Sequence, residues 1–413
     1  MVRSPCTLHH GAFSSDRTQR HLEGLLSQAS SAYRHARSAT RAISGTPASR
    51  YRRVLVFQGG GALGAYQAGV YQALHEAGYE PDWVIGTSIG AINASLIAGN
   101  EPSKRMERLD DFWSRVTTKG GLASWAEALR PWMPSMAQSL HTMGVVTGGL
   151  PAFFTPRWQV WMDPMLHGLP EHASCYDTAP LRDTLNELVD WQRLEGGTRL
   201  TVGAVNVRSG HMRYFDSAQE EMRADHVMAS GALPPAFGAV RIDGDLFWDG
   251  GICSNTPMER VLNDDHHLPS LVFTTRIWQG HGEAPDNMWA TLQRMKDIQF
   301  ASRADTHLSY ERQVNHLRCM LRALLKDRPK GRPLPESLAH LMEDATVSTY
   351  HVVKLHARPV PHEDHGKDID FSALGIARRR RDGYGAAREA LRTRPWEMDP
   401  AEGVYTHDFP SVR

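Results

Sequence analysis

Val54-Leu55-Val56-Phe57-Gln58-Gly59-Gly60-Gly61-Ala62-Leu63-Gly64 is the stretch that decides the fold. A run of four apolar residues is too short for a helix and lacks polar alternation. It suits a strand buried on both faces. The glycines then turn the chain, and residues 62–77 read as a helix closed by Gly78. The same phrase returns at once. Trp83-Val84-Ile85 is a second short strand, Gly86-Thr87-Ser88-Ile89-Gly90 its turn, and residues 91–98 a helix stopped by Gly99. Strand, glycine turn and helix, twice over, predict an α/β fold with a mostly parallel sheet in a three-layer α/β/α arrangement.

The two turns carry chemistry. Ser88 is expected on a sharp strand-to-helix turn that its flanking glycines permit, at a helix N-terminus whose dipole favours developing negative charge. Gly59, Gly60 and Gly61 occupy the equivalent turn of the preceding unit, where backbone N–H groups suit an oxyanion. The spacing Gly59-x-Gly61-x-x-Gly64 also fits a dinucleotide-binding turn. That fold wants an acid at the end of the second strand. Here the strand ends in Gly-Thr-Ser, and Asp82 precedes it. Further on, residues 240–242 and 246–248 form a hairpin across Asp243-Gly244-Asp245, which delivers the chain to Asp249-Gly250-Gly251. Alone that is a turn at a strand end. Beside a serine and an oxyanion loop it offers a general base, so nucleophile, base and oxyanion donors are present without a histidine.

The order GGGALG, GTSIG, DGG resembles the patatin-like phospholipase family, over about residues 53–277. The resemblance implies a lipid acyl hydrolase acting through an acyl-serine, with Ser88 as nucleophile, Asp249 as general base, and Gly59, Gly60 and Gly61 as the oxyanion loop. No metal or organic cofactor is implied. The alternatives are a serine esterase on a neutral lipid, short ester or storage polyester, and a weakly active lipid-binding scaffold. An α/β-hydrolase triad would need a later histidine, for which His351, His356, His362 and His365 are available. Many relatives carry a basic residue where this chain has Leu63, and plant members an acid where it has Gln58. Both departures bear on pocket electrostatics and neither removes a catalytic part. Ala229-Ser230-Gly231-Ala232-Leu233-Pro234, Lys296-Asp297-Ile298-Gln299 and Lys367-Asp368-Ile369-Asp370-Phe371-Ser372 are similar to a bacterial subgroup with its own C-terminal extension.

Composition sets the remaining bounds. The 413 residues carry 46 basic and 46 acidic side chains, a formal charge of zero that argues against nucleic acid as the main partner. Four scattered cysteines with no CxxC suit free thiols in a reducing compartment. The 21 histidines, including His9-His10 and His266-His267, are expected at the surface. With no run of eighteen apolar residues and no secretory h-region, a cytoplasmic protein is expected, with a lipid or fatty-acyl ester as its partner and peripheral membrane contact as a further expectation.

Residues 1–50, rich in Ser, Ala and Arg, read as a disordered or loosely helical tail, with a transit-like segment as the alternative. Residues 51–280 form the hydrolase domain, in which Thr178 is expected to cap a helix over 178–194 and residues 200–207 and 212–216 to form a hairpin around Ser209-Gly210. Within it, residues 102–177 are a Trp-rich insertion that reads equally as a lid or acyl-chain pocket and as an ordinary subdomain. Residues 281–413 form a mainly helical extension, with helical spacing over 287–327 and 336–344 and a strand-like run over 350–357. Its Arg378-Arg379-Arg380-Arg381 run is expected on a solvated helix face.

Overall fold

The computed structural model describes residues 50–118, 125–126, 128–130, 132–163, 165, 168–264, 268–301, 304–326, 348–359, 366–397 and 403–410. The expectations for residues 1–49, for the helical piece at 336–344 and for His266, His267, His362 and His365 lie outside the described residues.

Two alternating units open the described residues, as the glycine pattern predicts. Strand β1 (Arg52–Phe57) leads through the glycine turn to helix α1 (Ala65–Glu76), and β2 (Trp83–Gly86) leads through Ser88 to α2 (Ile89–Ala98). The insertion follows, with helices α3 (Pro102–Val116), α4 (Pro134–Gly148) and α5 (Trp158–Met162), and a two-stranded ribbon of β3 (Thr155–Pro156) with β4 (Tyr176–Asp177). Helix α6 (Ala179–Leu188) returns to the sheet. Its cap differs from the expected Thr178 hydroxyl: the Asp177 carboxylate accepts the Ala179 N–H at 3.0 Å.

Strands β5 (Arg199–Asn206) and β6 (Met212–Asp216) form the expected hairpin. After α7 (Ala224–Ser230) come β7 (Val240–Ile242), β8 (Asp245–Asp249), α8 (Met258–Leu262) and β9 (Ser270–Arg276). The helical stretch foreseen from Asn287 is two helices, α9 (Met288–Phe300) and α10 (Ala304–Lys326), and Asn287 caps the first through the Ala290 N–H at 2.9 Å. Strand β10 (Tyr350–His356), helix α11 (Ala373–Thr393) and strand β11 (Val404–Pro410) complete the chain.

The strands form one nine-stranded sheet in the order β11-β10-β9-β1-β2-β5-β8-β7, with β6 also on β5. Pairings from β11 through β5 are parallel, and those of β6, β7 and β8 are antiparallel. The extension is mainly helical as expected, and it donates two strands to the sheet, β10 at the strand-like 350–357 run and β11, which the sequence did not suggest. Alternation along the strands sends Val54, Val56, Trp83, Ile85, Val272 and Val352 to one face, where Met258, Val261 and Leu308 of α8 and α10 cover them. On the opposite face Phe273 meets Tyr79 and Trp396 edge-on, the latter just beyond α11. Helices on both faces make the three layers.

The arginine run on α11 departs from the solvated face expected of it. Arg379 is buried and bonds the carbonyls of Asp370 and Lys367, both at 3.0 Å. Arg380 holds Asp110 and Gln72. Only the outer two positions of the run are exposed.

Candidate active site

Strand β5 has three neighbours and two edges. It pairs with β2 over Arg199–Val202 and with β8 over Ala204–Asn206, while β6 overlaps both stretches from the other side. Strands β2 and β8 therefore share one edge, end to end, and run towards each other. Gly86 of β2 lies opposite Val202, and Asp249 of β8 lies opposite Ala204. The turn after β2 and the end of β8 must meet, and they bring Ser88 and Asp249 together.

Ser88 has φ 57° and ψ −126°, a strained conformation for a non-glycine residue. The turn is held open by its glycines: a Cβ at Gly86 would strike the Gly90 carbonyl, and one at Gly90 would strike that of Phe57. The Ser88 N–H is shared between the carbonyl and the Oγ of Ser230, each at 3.1 Å, and Ser230 Oγ donates to Gly203 O at 2.6 Å. Two residues later the Ala232 carbonyl accepts the Asp249 N–H at 2.9 Å. The segment after α7 thus ties both ends of the junction, a role its sequence did not reveal.

Asp249 is 2% exposed. Its carboxylate accepts hydrogen bonds from the Gly251 N–H at 2.6 Å and from the Ser88 hydroxyl. Burial outweighs both and pushes the carboxyl up to about 7. Trp248, the preceding strand residue, projects to the other face and does not bury it. The desolvation comes from the enclosing sheet end.

The glycine loop divides its labour. The Gly59 N–H is engaged by the Asn255 carbonyl at 3.1 Å, whereas those of Gly60 and Gly61 have no acceptor among the described residues. Gly61 has φ +54°, and a Cβ there would strike the Asp368 carbonyl. All three glycines line a cavity of about 310 Å³ that also holds Ser88 and Asp249. Its wall is mostly apolar and includes Ile92, Val145, Phe153, Phe154, Phe237 and Phe371. Phe153 stacks on Phe237 with centroids 6.0 Å apart, and Phe154 meets Tyr176 edge-on at 4.8 Å.

The insertion consequently reaches the cavity through its phenylalanines. Its tryptophans behave otherwise: Trp113 is buried against Asn93, while Trp125, Trp132, Trp158 and Trp161 are exposed. Of the histidines raised for a triad, His351 and His356 are described. They lie on β10, and no histidine lines the cavity among the described residues.

A family model described as patatin-like phospholipase matches residues 55–262, half of the chain, and spans the glycine loop, the Ser88 turn and Asp249. The chain belongs to the patatin-like phospholipase family. A second model, described as patatin phospholipase, matches residues 298–403 of this patatin-like chain. It is 45% identical over 60 residues to a putative patatin-like phospholipase domain-containing protein, M110.7, of Caenorhabditis elegans. That match spans 14% of this chain and 6% of that protein. Among solved structures it is similar to VipD of Legionella pneumophila, at 17% identity and a TM-score of 0.36, over 85% of this chain and 70% of that one. The heterodimeric ExoU–SpcU complex from the type III secretion system of Pseudomonas aeruginosa gives 18% identity, a TM-score of 0.27, and coverage of 64% and 52%. No helix of the described residues is long and apolar enough to cross a membrane.

Proposed function

We propose that this chain is a lipid acyl hydrolase, cleaving carboxylic esters of lipids, phospholipids included, through an acyl-serine intermediate, with Ser88 as nucleophile and Asp249 as general base. One observation carries the reading. The Ser88 hydroxyl bonds a buried carboxylate raised to about 7, at the wall of an apolar cavity. An ordinary aspartate is too weak a base for a serine hydroxyl, and raising its pKa brings it towards the operating pH.

In the first step Asp249 takes the Ser88 proton as Oγ attacks the ester carbonyl. The carbonyl oxygen becomes an oxyanion facing the Gly60 and Gly61 amides, and Gly59 anchors the loop. Collapse of the tetrahedral species expels the alcohol, which leaves with the proton from Asp249. Water then gives a proton to Asp249 and attacks the acyl-serine, and the proton returns to Ser88 Oγ as the fatty acid departs. The phenylalanine-lined wall receives the acyl chain.

A second reading, an uncharged ester such as a neutral lipid or storage polyester, is favoured by the same wall. Among the described residues its only lysine or arginine is Lys296, whose ammonium is held by both oxygens of Asp368 at 2.7 and 2.8 Å. Contact with a lipid surface, the site of either substrate, is supported by the exposed Trp132, Trp158 and Met162 of the insertion and Met288, Trp289 and Met295 of α9.

Fluorophosphonate labelling with peptide mapping tests the nucleophile: the label is expected on Ser88 and absent from Ser88→Ala. A labelled serine elsewhere overturns the assignment. Turnover of matched zwitterionic, anionic and uncharged acyl esters then separates the two substrate readings.

A further inference from the structure

The Gly59 carbonyl accepts two buried donors, Trp278 Nε1 at 2.7 Å and Asn255 Nδ2 at 3.1 Å. A trans peptide is planar, so its C=O and the following N–H point in opposite directions. Anchoring the Gly59 oxygen therefore fixes the Gly60 N–H on the side away from Trp278 and Asn255. Each anchor is itself held. Gln58 Oε1 accepts the N–H groups of Ile277 and Trp278 at 2.7 and 3.3 Å. Gln58 Nε2 and Asn255 Nδ2 both donate to the Phe300 carbonyl at the end of α9, at 3.1 and 2.9 Å. The Phe300 ring lies against Trp278 with centroids 5.1 Å apart.

The other side of the loop is gripped by the segment before α11. The Asp368 carbonyl accepts the Ala62 N–H at 2.8 Å. This segment and α9 are joined by two crossed ion pairs between similar tripeptides, Lys296-Asp297-Ile298 and Lys367-Asp368-Ile369. Lys296 pairs with Asp368 at 2.7 Å, and Lys367 pairs with Asp297 at 2.6 Å in a buried contact. The Lys367 ammonium also sits over the Trp278 ring, 5.3 Å from its centroid.

We propose that Trp278 and the crossed pairs Lys296–Asp368 and Lys367–Asp297 are positioning elements of the oxyanion loop, so that the chain beyond residue 281 is a working part of the hydrolase site. The proposal rests on the acyl-serine reading above. It accounts for Gln58, whose amide offers both a donor and an acceptor where an ionised carboxylate would offer only acceptors.

Two sets of variants of the full chain test it with a soluble p-nitrophenyl ester. Trp278→Phe keeps a ring against Phe300 and removes the N–H. Its kcat should fall about tenfold or more, less than the full loss of an oxyanion donor, with KM changed less than about twofold. Wild-type kcat, or a lowered thermal midpoint with normal kcat per folded molecule, overturns the role of Trp278. Lys296→Asp and Asp368→Lys should each lower kcat, and combining them should restore it to within about threefold of wild type. A folded double variant that stays as slow as the singles overturns the role of the pair. Ser88→Ala runs alongside. If it stays active, the hydrolase reading itself fails; if it is dead while both sets match wild type, only the positioning proposal fails.

Discussion

Replacing Asp249 by asparagine removes a charge that the fold disfavours, and the effect is legible in both stability and rate. The carboxyl moves from its ordinary 3.8 to about 7 on folding. Between those values the folded protein holds a proton that the unfolded chain has released, so this group makes the protein less stable as pH rises from about 4 to about 7. At about 1.4 kcal/mol per pH unit, the loss reaches about 4 kcal/mol above pH 7. Asparagine never ionises. The stability gap, Asp249→Asn minus wild type, should open in favour of the variant over this window, as read by urea unfolding at pH 4, 5.5 and 8. Other carboxyls, such as Asp216 and Asp264, which arginines hold low, act equally in both proteins and cancel. Rate must move the other way, because the base works only when ionised. For the wild type, kcat/KM should rise with pH and level off above about 7, reaching at pH 5 about one hundredth of its plateau. The variant should be inactive throughout. A gap that stays flat with pH, or a rate limb centred near 4, would refute the burial argument.

Three further outcomes follow from named contacts. Ser88→Ala should abolish turnover of soluble esters while leaving the circular dichroism spectrum unchanged, since among the described residues its hydroxyl bonds Asp249 at the cavity wall and fills no place in the core. Ser230→Ala removes the hydroxyl bridging the Ser88 N–H and the buried Gly203 carbonyl; it should cost about 1–3 kcal/mol in denaturant unfolding and lower kcat more than it raises KM. In Gly383→Ala the new Cβ would strike the Tyr66 carbonyl where α11 crosses α1, and the expected cost is about 1–3 kcal/mol, read as a lowered thermal midpoint with kcat retained per folded molecule.

The parts of this design that depend on local chain chemistry were legible. Apolar runs too short for helices, closed by Gly59 to Gly61 and by Gly86, can hardly be other than buried parallel strands, and the serine between Gly86 and Gly90 announces its own turn. The separation of roles within the glycine loop was not legible, because it depends on Asn255, nearly two hundred positions away, capturing the Gly59 amide. Nor was the function of the arginine run. Charge and spacing describe a solvated face, and it takes the folding back of residues 367–370, just before α11, and the approach of Asp110, 270 positions away, to bury Arg379 and engage Arg380. The Trp-rich stretch left a pocket lining and an ordinary subdomain equally open, because composition does not say which of its aromatics turn inward. Large aromatic side chains suggest a pocket lining, yet the neighbouring phenylalanines fill that place while most of the tryptophans face outward.

The first strand of the sheet lies in its interior, and this governs the order in which a growing chain can assemble. Arg52 of β1 bonds Ser270 of β9 across 218 positions, and β9 in turn waits for Tyr350 of β10. As synthesis proceeds from the N-terminus, β1 and β2 emerge early and leave open edges that no nearby segment can close. Contacts of such long range are slow to form and expose strand edges meanwhile, so this sheet relies on protection from association until its later strands arrive. If the glycine loop is seated by Phe300 and Asp368, the same delay falls on activity. A nascent chain carries its serine from residue 88 onward, but cannot attack a lipid until nearly three hundred further residues have been made.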